Sequence, residues 1–89
     1  MYEIIFRTPA KKFLKLLDKK FQKRILNKIE QLSRNPRIGK KLTGNLKGLW
    51  RLRQDNFRII YRIKDQELIV YVLNIGKREN IYKWFRIDF

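Results

Sequence analysis

A set of arginines in the second half of the chain is the part of this sequence best suited to chemistry. These residues are Arg51, Arg53, Arg58, Arg62 and Arg78. A guanidinium presents a planar fork of donors that matches phosphate oxygens in pairs. Tyr82 follows shortly after, and its ring offers a surface on which a nucleic-acid base can stack. The residue types therefore predict a site for nucleic acid.

The residues that are missing narrow the chemistry further. The chain has no His and no Cys. This excludes a zinc site of the usual kind, a thiol nucleophile, a Ser-His-Asp triad and a histidine base. Any acid or base must be a carboxylate, a lysine, a tyrosine or the substrate itself. We expect no metal and no small-molecule cofactor, and the absence of disulfides fits a cytoplasmic protein.

Length and charge set the general class. The 89 residues are 44% hydrophobic, which is enough for the core of a single domain spanning residues 1–89. The chain has 23 Lys and Arg against 8 Asp and Glu, a net charge of +15 that attracts polyanions. No targeting segment and no apolar run long enough to span a membrane are apparent. We expect a soluble protein with a polyanionic partner.

The first half of the chain reads as a strand followed by helices. The strand covers Tyr2 to Phe6, and Thr8 is the expected N-cap of a helix in which Pro9 is the first residue. Asp18 can act as a new N-cap, so two helices, or one helix bent near this residue, both fit. The helical apolar positions are Ala10, Phe13, Leu14 and Leu17, then Phe21, Ile25, Ile29 and Leu32. Arg37 to Gly48 shows little periodicity and is expected to be a loop.

The second half alternates with a period of two, which predicts strands. We expect strands at Trp50 to Gln54, Phe57 to Lys64 and Glu67 to Ile75. Two-residue turns at Asp55-Asn56 and Asp65-Gln66 would join them into an antiparallel meander. The third strand is apolar on both faces and should lie in the interior of the sheet.

The first turn fixes which residues lie opposite each other. Arg53 faces Arg58, and Leu52 faces Ile59. The arginines at positions 51, 53, 58 and 62 then share the sheet face opposite the helices. Directly opposed like charges destabilise a sheet, so an anionic ligand would account for them, whereas simple solvation of an exposed face is the alternative.

The second turn brings a further basic segment to the same place. With a two-residue turn, Arg58 faces Leu73, and the chain leaves the sheet beside the first turn. Lys77 and Arg78 are then expected near Arg58, and Tyr82 can fold back over them. The predicted cluster therefore combines arginines from three segments with one aromatic ring.

The residues also resemble a known family. The segments LWRLR from Leu49, FRIIYRI from Phe57, LIVYVL from Leu68 and GKRENIY from Gly76 are similar to those of RelE/ParE superfamily toxins of type II toxin-antitoxin modules, and are closer to RelE. The resemblance implies an α+β, RelE-like fold. In this fold an N-terminal strand and a two-helix hairpin pack on a small, mainly antiparallel sheet.

The resemblance also implies an activity. RelE-type toxins are endoribonucleases that cut mRNA in the ribosomal A site, where the ribose 2′-hydroxyl attacks the adjacent phosphate. The catalytic positions carried over are Arg51, Arg53, Arg58, Arg78 and Tyr82. The expected RNA-binding positions are Lys47, Arg62 and Lys77. Because arginine cannot act as a base, Lys77 is the remaining candidate for proton abstraction.

Partners follow from the same resemblance. They are a cognate RelB-like antitoxin, the ribosome and mRNA, with no membrane. The helix surface and the aromatic tail are the expected antitoxin docking sites, the tail comprising Tyr82, Trp84, Phe85 and Phe89. The alternatives are a ParE-like inhibitor of DNA gyrase without nuclease activity, and a non-catalytic RNA-binding domain.

Overall fold

The computed structural model describes residues 1–83, in which the main elements are two α-helices and a five-stranded sheet. The elements are β1 (Glu3–Phe6), α1 (Thr8–Leu16), α2 (Lys19–Glu30), β2 (Lys40–Lys41), β3 (Trp50–Gln54), β4 (Phe57–Lys64) and β5 (Ile69–Lys77). The predictions for Trp84, Phe85 and Phe89 lie outside the described residues. Within residues 1–83, neither helix has the length and apolar character needed to cross a bilayer.

The sheet is mixed, with the strand order β1-β5-β4-β3-β2. β1 pairs with β5 in parallel, and every other neighbouring pair is antiparallel. A parallel pair needs a long crossover, and here α1 and α2 lie within it. The predicted α+β fold and the interior position of β5 are therefore confirmed.

The two helices are separate, and the first begins one residue earlier than predicted. Arg7 is the N-cap of α1, so Thr8 is the first helical residue and Pro9 the second. The extended backbone of Arg7 explains the difference, because its carbonyl already accepts the N–H of Lys11 at 3.1 Å. Asp18 is the N-cap of α2, as predicted, although its side chain makes no capping hydrogen bond.

The helices cover one face of the sheet and form the main core with it. The buried residues are Ala10, Leu14, Ile25, Ile29, Leu32, Leu52, Phe57, Ile59, Tyr61, Val70, Val72 and Ile75. The ring of Phe57 meets Phe13 and Phe21 edge to face, with ring centres 5.8 and 5.7 Å apart. The apolar residues predicted from helical spacing and from the alternation in β3 and β4 therefore pack against one another in this core.

The pairing of β4 with β5 differs from the prediction. Four residues, not two, connect Lys64 to its partner Ile69, because a turn of 3₁₀ helix is followed by Leu68 in a left-handed conformation, with φ of 55°. Farther along, Leu73 has no partner on β4, which makes a bulge. Arg58 consequently faces Gly76, and the predicted pairing with Leu73 is wrong.

The segment expected to be a loop contains the short edge strand β2. Hydrogen bonds of a buried tyrosine side chain hold this segment in place. The hydroxyl of Tyr61 donates to the carbonyl of Pro36 at 2.7 Å and accepts the N–H of Gly39 at 3.2 Å. A side chain at Gly39 would lie 2.5 Å from both this hydroxyl and the carbonyl oxygen of Arg51. Glycine is therefore required for the segment to approach β3 so closely.

Candidate functional site

The β3–β4 hairpin brings its arginines together in the predicted register. Arg53 lies opposite Arg58, and the neighbouring Arg51 lies opposite Ile60. The end of β5 meets the same place because Gly76 is the partner of Arg58. Arg78 follows, and its backbone N–H donates to the carbonyl of Asn56 in the β3–β4 turn at 3.0 Å. Three segments therefore converge at one end of the sheet.

Arg58 is the centre of this convergence. Only 6% of its surface is exposed, and one of its guanidinium nitrogens, Nη1, donates to the carbonyl of Phe57 at 3.0 Å. Burial lowers the pKa of the Arg58 guanidinium, and repulsion from Arg53, Arg51 and Arg78 lowers this pKa further. These electrostatic couplings define the arginine cluster, which comprises Arg51, Arg53, Arg58 and Arg78.

The positive charge of the arginine cluster is not neutralised by acidic side chains of residues 1–83. Within this range the ion pairs are Arg24 with Asp55 and Arg37 with Asp65. Both pairs lie outside the cluster. Four cations, one of them buried, therefore lie together without a carboxylate partner, an arrangement that favours an anionic ligand.

Tyr82 lies at the edge of the arginine cluster. Its hydroxyl accepts a hydrogen bond from Nη1 of Arg51 at 3.4 Å, whereas Nε of Arg51 is buried without a partner among the described residues. Tyr82 packs against a second small core of Ile60 and Ile81 on the face away from the helices. Gly76 allows this close packing, since a side chain there would meet Ile81 at 3.0 Å.

The structure places none of the three predicted RNA-binding residues within the arginine cluster. Lys77 lies opposite Phe57, so its side chain leaves the sheet on the helix face and does not join the arginines as expected. Arg62 lies on the same face of the sheet as Arg58, opposite the helices, but it is four residues farther along β4, about 13 Å away. Lys47 is exposed in the loop before β3.

Two lysines that the sequence did not single out lie beside the arginine cluster. Lys40 in β2 pairs with Arg51, and Lys28 is in the last turn of α2. Both line a cavity that Arg51 and Arg53 also line. A two-residue strand carries no alternation, so no sequence signal could have placed Lys40. Within residues 1–83, no group of three acidic side chains lies close enough together to hold a metal ion.

The sequence and the fold agree with a family of toxins. A family model described as the ParE toxin of the type II toxin-antitoxin system parDE matches residues 4–82. Because the match spans nearly the whole chain, the protein belongs to this family of toxins. The resemblance to the RelE/ParE superfamily is therefore confirmed.

Individual relatives carry RelE names. A RelE-like toxin protein of Escherichia coli is 34% identical over 80 residues, which cover 88% of this chain and 84% of that protein. The toxin-antitoxin complex RelBE2 of Mycobacterium tuberculosis contains a similar chain, with a TM-score of 0.79 and 32% identity over 86% of this chain and 91% of that one. The isolated RelE toxin of E. coli has the same fold, with a TM-score of 0.78 and 22% identity over 99% and 96% of the two chains.

Proposed function

We propose that this toxin is a ribosome-dependent endoribonuclease that cuts mRNA in the ribosomal A site. The observation that carries the proposal is the arginine cluster, in which four guanidinium groups meet without a carboxylate among residues 1–83. Tyr82 beside it supplies a ring that can stack on a base. The RelE names of the relatives support the same activity.

In the proposed reaction the ribose 2′-oxygen attacks the adjacent phosphorus, and the bond from phosphorus to the 5′-oxygen of the next nucleotide breaks. A cyclic phosphate and a free 5′-hydroxyl result. Arg58 and Arg78 hold the phosphate and stabilise the additional negative charge of the transition state. A donor in such a position contributes about 10²- to 10³-fold to the rate, and more where water is excluded. The burial of Arg58 provides such an environment.

We assign the proton transfer to a group that does not belong to the arginine cluster. Arginine stays protonated, and the Lys77 side chain is on the helix face. In our proposal solvent or a ribosomal group takes the proton from the 2′-hydroxyl, and solvent or a ribosomal group supplies a proton to the departing 5′-oxygen. The toxin then contributes phosphate binding and charge stabilisation, which accounts for a requirement for the ribosome.

Primer extension on mRNA in a translation extract tests the proposal. Wild-type toxin should produce new 5′ ends in phase with codons, and Arg58→Ala and Arg78→Ala should each lower cleavage by about 10²- to 10³-fold. Arg34→Ala is the control, because this exposed arginine lies outside the cluster and makes no ion pair within residues 1–83. Wild-type cleavage by both cluster variants would refute the assignment.

A second candidate is inhibition of DNA gyrase without nuclease activity. It is favoured by the family match, whose description names the ParE toxin. The arginine cluster would then bind an acidic surface of a protein target. Intact mRNA together with growth arrest and gyrase-dependent DNA breaks would establish this alternative.

We further propose that an acidic, RelB-like antitoxin binds and neutralises this toxin. The net charge of +15 favours an acidic partner, and the similar M. tuberculosis chain was solved as a toxin-antitoxin complex. Expression of the toxin alone should arrest growth, and co-expression with the gene beside it should restore growth. A neighbouring gene product that does not bind the toxin would contradict this partner assignment.

A further inference from the structure

A cavity of about 400 Å³ lies beside the arginine cluster, where the end of α2 approaches β2 and β3. Its lining residues are Lys28, Ile38, Gly39, Lys40, Arg51, Leu52 and Arg53. Four of these seven residues carry cationic side chains, and no carboxylate of residues 1–83 lines the cavity or pairs with them. The cavity is therefore strongly positive.

The walls of this cavity are held in place by the fold. Tyr61 fixes the backbone at Pro36 and Gly39 through its two hydrogen bonds. Immediately after Gly39, Lys40 pairs with Arg51 in the sheet. Lys28 is half-buried in the opposite wall. The backbone that carries these cations is therefore positioned before a ligand binds.

We propose that this cavity binds a phosphate group of RNA next to the nucleotide held by the arginine cluster. The inference rests on the proposed function, since it extends the same RNA site. Arg51 and Arg53 belong to both the cluster and the cavity, so a strand can pass from one to the other.

The volume and the chemistry of the lining agree with this ligand. About 400 Å³ is in the range of small-molecule sites, which is enough for a phosphate and its ribose. Lysines bind phosphate as point charges, while arginines add paired hydrogen bonds. The phosphate can come from the mRNA strand or from ribosomal RNA. Binding to a free oligoribonucleotide and binding to ribosomes distinguish these two sources.

Binding of a single-stranded oligoribonucleotide with 2′-O-methyl riboses tests the inference, because this probe cannot be cleaved through the 2′-hydroxyl. Fluorescence anisotropy should show about tenfold weaker binding for the double variant Lys28→Gln/Lys40→Gln. The slope of log Kd against log salt should fall by about 1.4, as expected for two lost phosphate contacts on a single strand. Lys28→Arg/Lys40→Arg should retain binding.

The matched control is Lys12→Gln/Lys15→Gln. It removes the same charge from exposed positions of α1, and Lys15, like Lys28, lies in the last turn of its helix. Melting temperatures of both double variants establish that they are folded. Equal weakening of RNA binding in the two double variants would overturn the inference, because a general charge effect would then explain it.

Co-sedimentation with ribosomes separates the two sources of phosphate. If the double variant Lys28→Gln/Lys40→Gln binds the free oligoribonucleotide more weakly than the wild type does, the cavity is assigned to the mRNA strand. Weaker binding to ribosomes alone assigns it to ribosomal RNA. Wild-type binding in both assays overturns the inference, as does a loss confined to binding of an acidic antitoxin. Neither assay depends on cleavage, so failure of this inference is distinguishable from failure of the proposed nuclease activity.

Discussion

Arg58 shows how a single residue can oppose folding and still suit a function. Its guanidinium is buried beside three other cations, and burial together with their repulsion lowers its pKa. Hydrogen bonds to the carbonyls of Phe57 and Asp55, at 3.0 and 3.4 Å, offset part of this cost. A buried charge without a counter-ion is unfavourable unless a ligand supplies one. The stability cost and the proposed phosphate site therefore have the same origin.

Replacing the charged side chain of Arg58 should lower the cleavage activity without lowering the free energy of unfolding. Arg58→Met keeps a long apolar side chain and removes both the desolvation cost and the repulsion. We expect the free energy of unfolding to stay equal to that of the wild type or to rise by up to about 1 kcal/mol, while mRNA cleavage falls by about 10²- to 10³-fold. Urea denaturation and primer extension measure the two effects.

Arg62→Met is the control for stability in that experiment. Arg62 lies on the same strand and face but is exposed, so its replacement should change the free energy of unfolding by less than about 0.5 kcal/mol. Destabilisation of Arg58→Met by more than about 2 kcal/mol would show that the buried arginine supports the fold.

At the scale of elements, a buried tyrosine links the core to the edge of the site. Tyr61 on β4 holds the segment that leads into β2, and β2 carries Lys40 to Arg51. The ring of Tyr61 also stacks on Trp50 of β3, with ring centres 6.2 Å apart. Burial raises the pKa of Tyr61 to about 12. The position of the cavity wall therefore depends on a neutral hydroxyl in the core.

This pKa predicts how stability changes in alkaline solution. The folded pKa of Tyr61, about 12, is above the value of about 10 expected in the unfolded chain. The neutral form therefore contributes stability fully below pH 10, and this contribution is lost as the pH rises from 10 to 12. The loss should amount to about 2–3 kcal/mol.

Tyr61→Phe isolates this effect. At pH 7 the variant should be less stable by about 1–2 kcal/mol, because the carbonyl of Pro36 and the N–H of Gly39 lose their partner. Between pH 10 and 12 its stability should fall less steeply than that of the wild type, as measured by urea denaturation. Parallel pH profiles would contradict the assignment. Tyr71→Phe removes a hydroxyl without a hydrogen bond within residues 1–83 and should change stability little at pH 7.

At the scale of the whole molecule, the net charge of +15 acts on stability as well as on binding. Repulsion among the cations disfavours the compact state. The two ion pairs within residues 1–83 are both on the surface and contribute little attraction to offset it. The same field attracts RNA or an acidic antitoxin.

Salt should therefore affect stability and RNA binding in opposite directions. Raising NaCl from about 0.05 to about 0.5 M shortens the Debye length and screens the repulsion, so the melting temperature of the free toxin should rise by a few degrees. RNA binding should weaken over the same range. A variant with Lys12→Glu and Lys23→Glu should show a smaller rise in melting temperature. A melting temperature that falls with NaCl would contradict net self-repulsion.

Local pattern and turn chemistry were sufficient to predict much of this protein. The helical stripes, the strands β3 and β4 and their register all follow from alternation and from a two-residue turn at Asp55-Asn56. Alternation and this turn together are enough to place Arg53 opposite Arg58. The composition alone also excluded histidine and cysteine chemistry.

The tertiary structure decided what depends on contacts between distant segments. The longer turn at Leu68 and the bulge at Leu73 set the β4–β5 register, and they place the Lys77 side chain on the helix face. The burial of Arg58 and the cavity that Lys28 and Lys40 line arise only when α2, β2 and β3 meet. A sequence pattern specifies the face of one element, whereas burial and neighbouring charge belong to the packing of several elements.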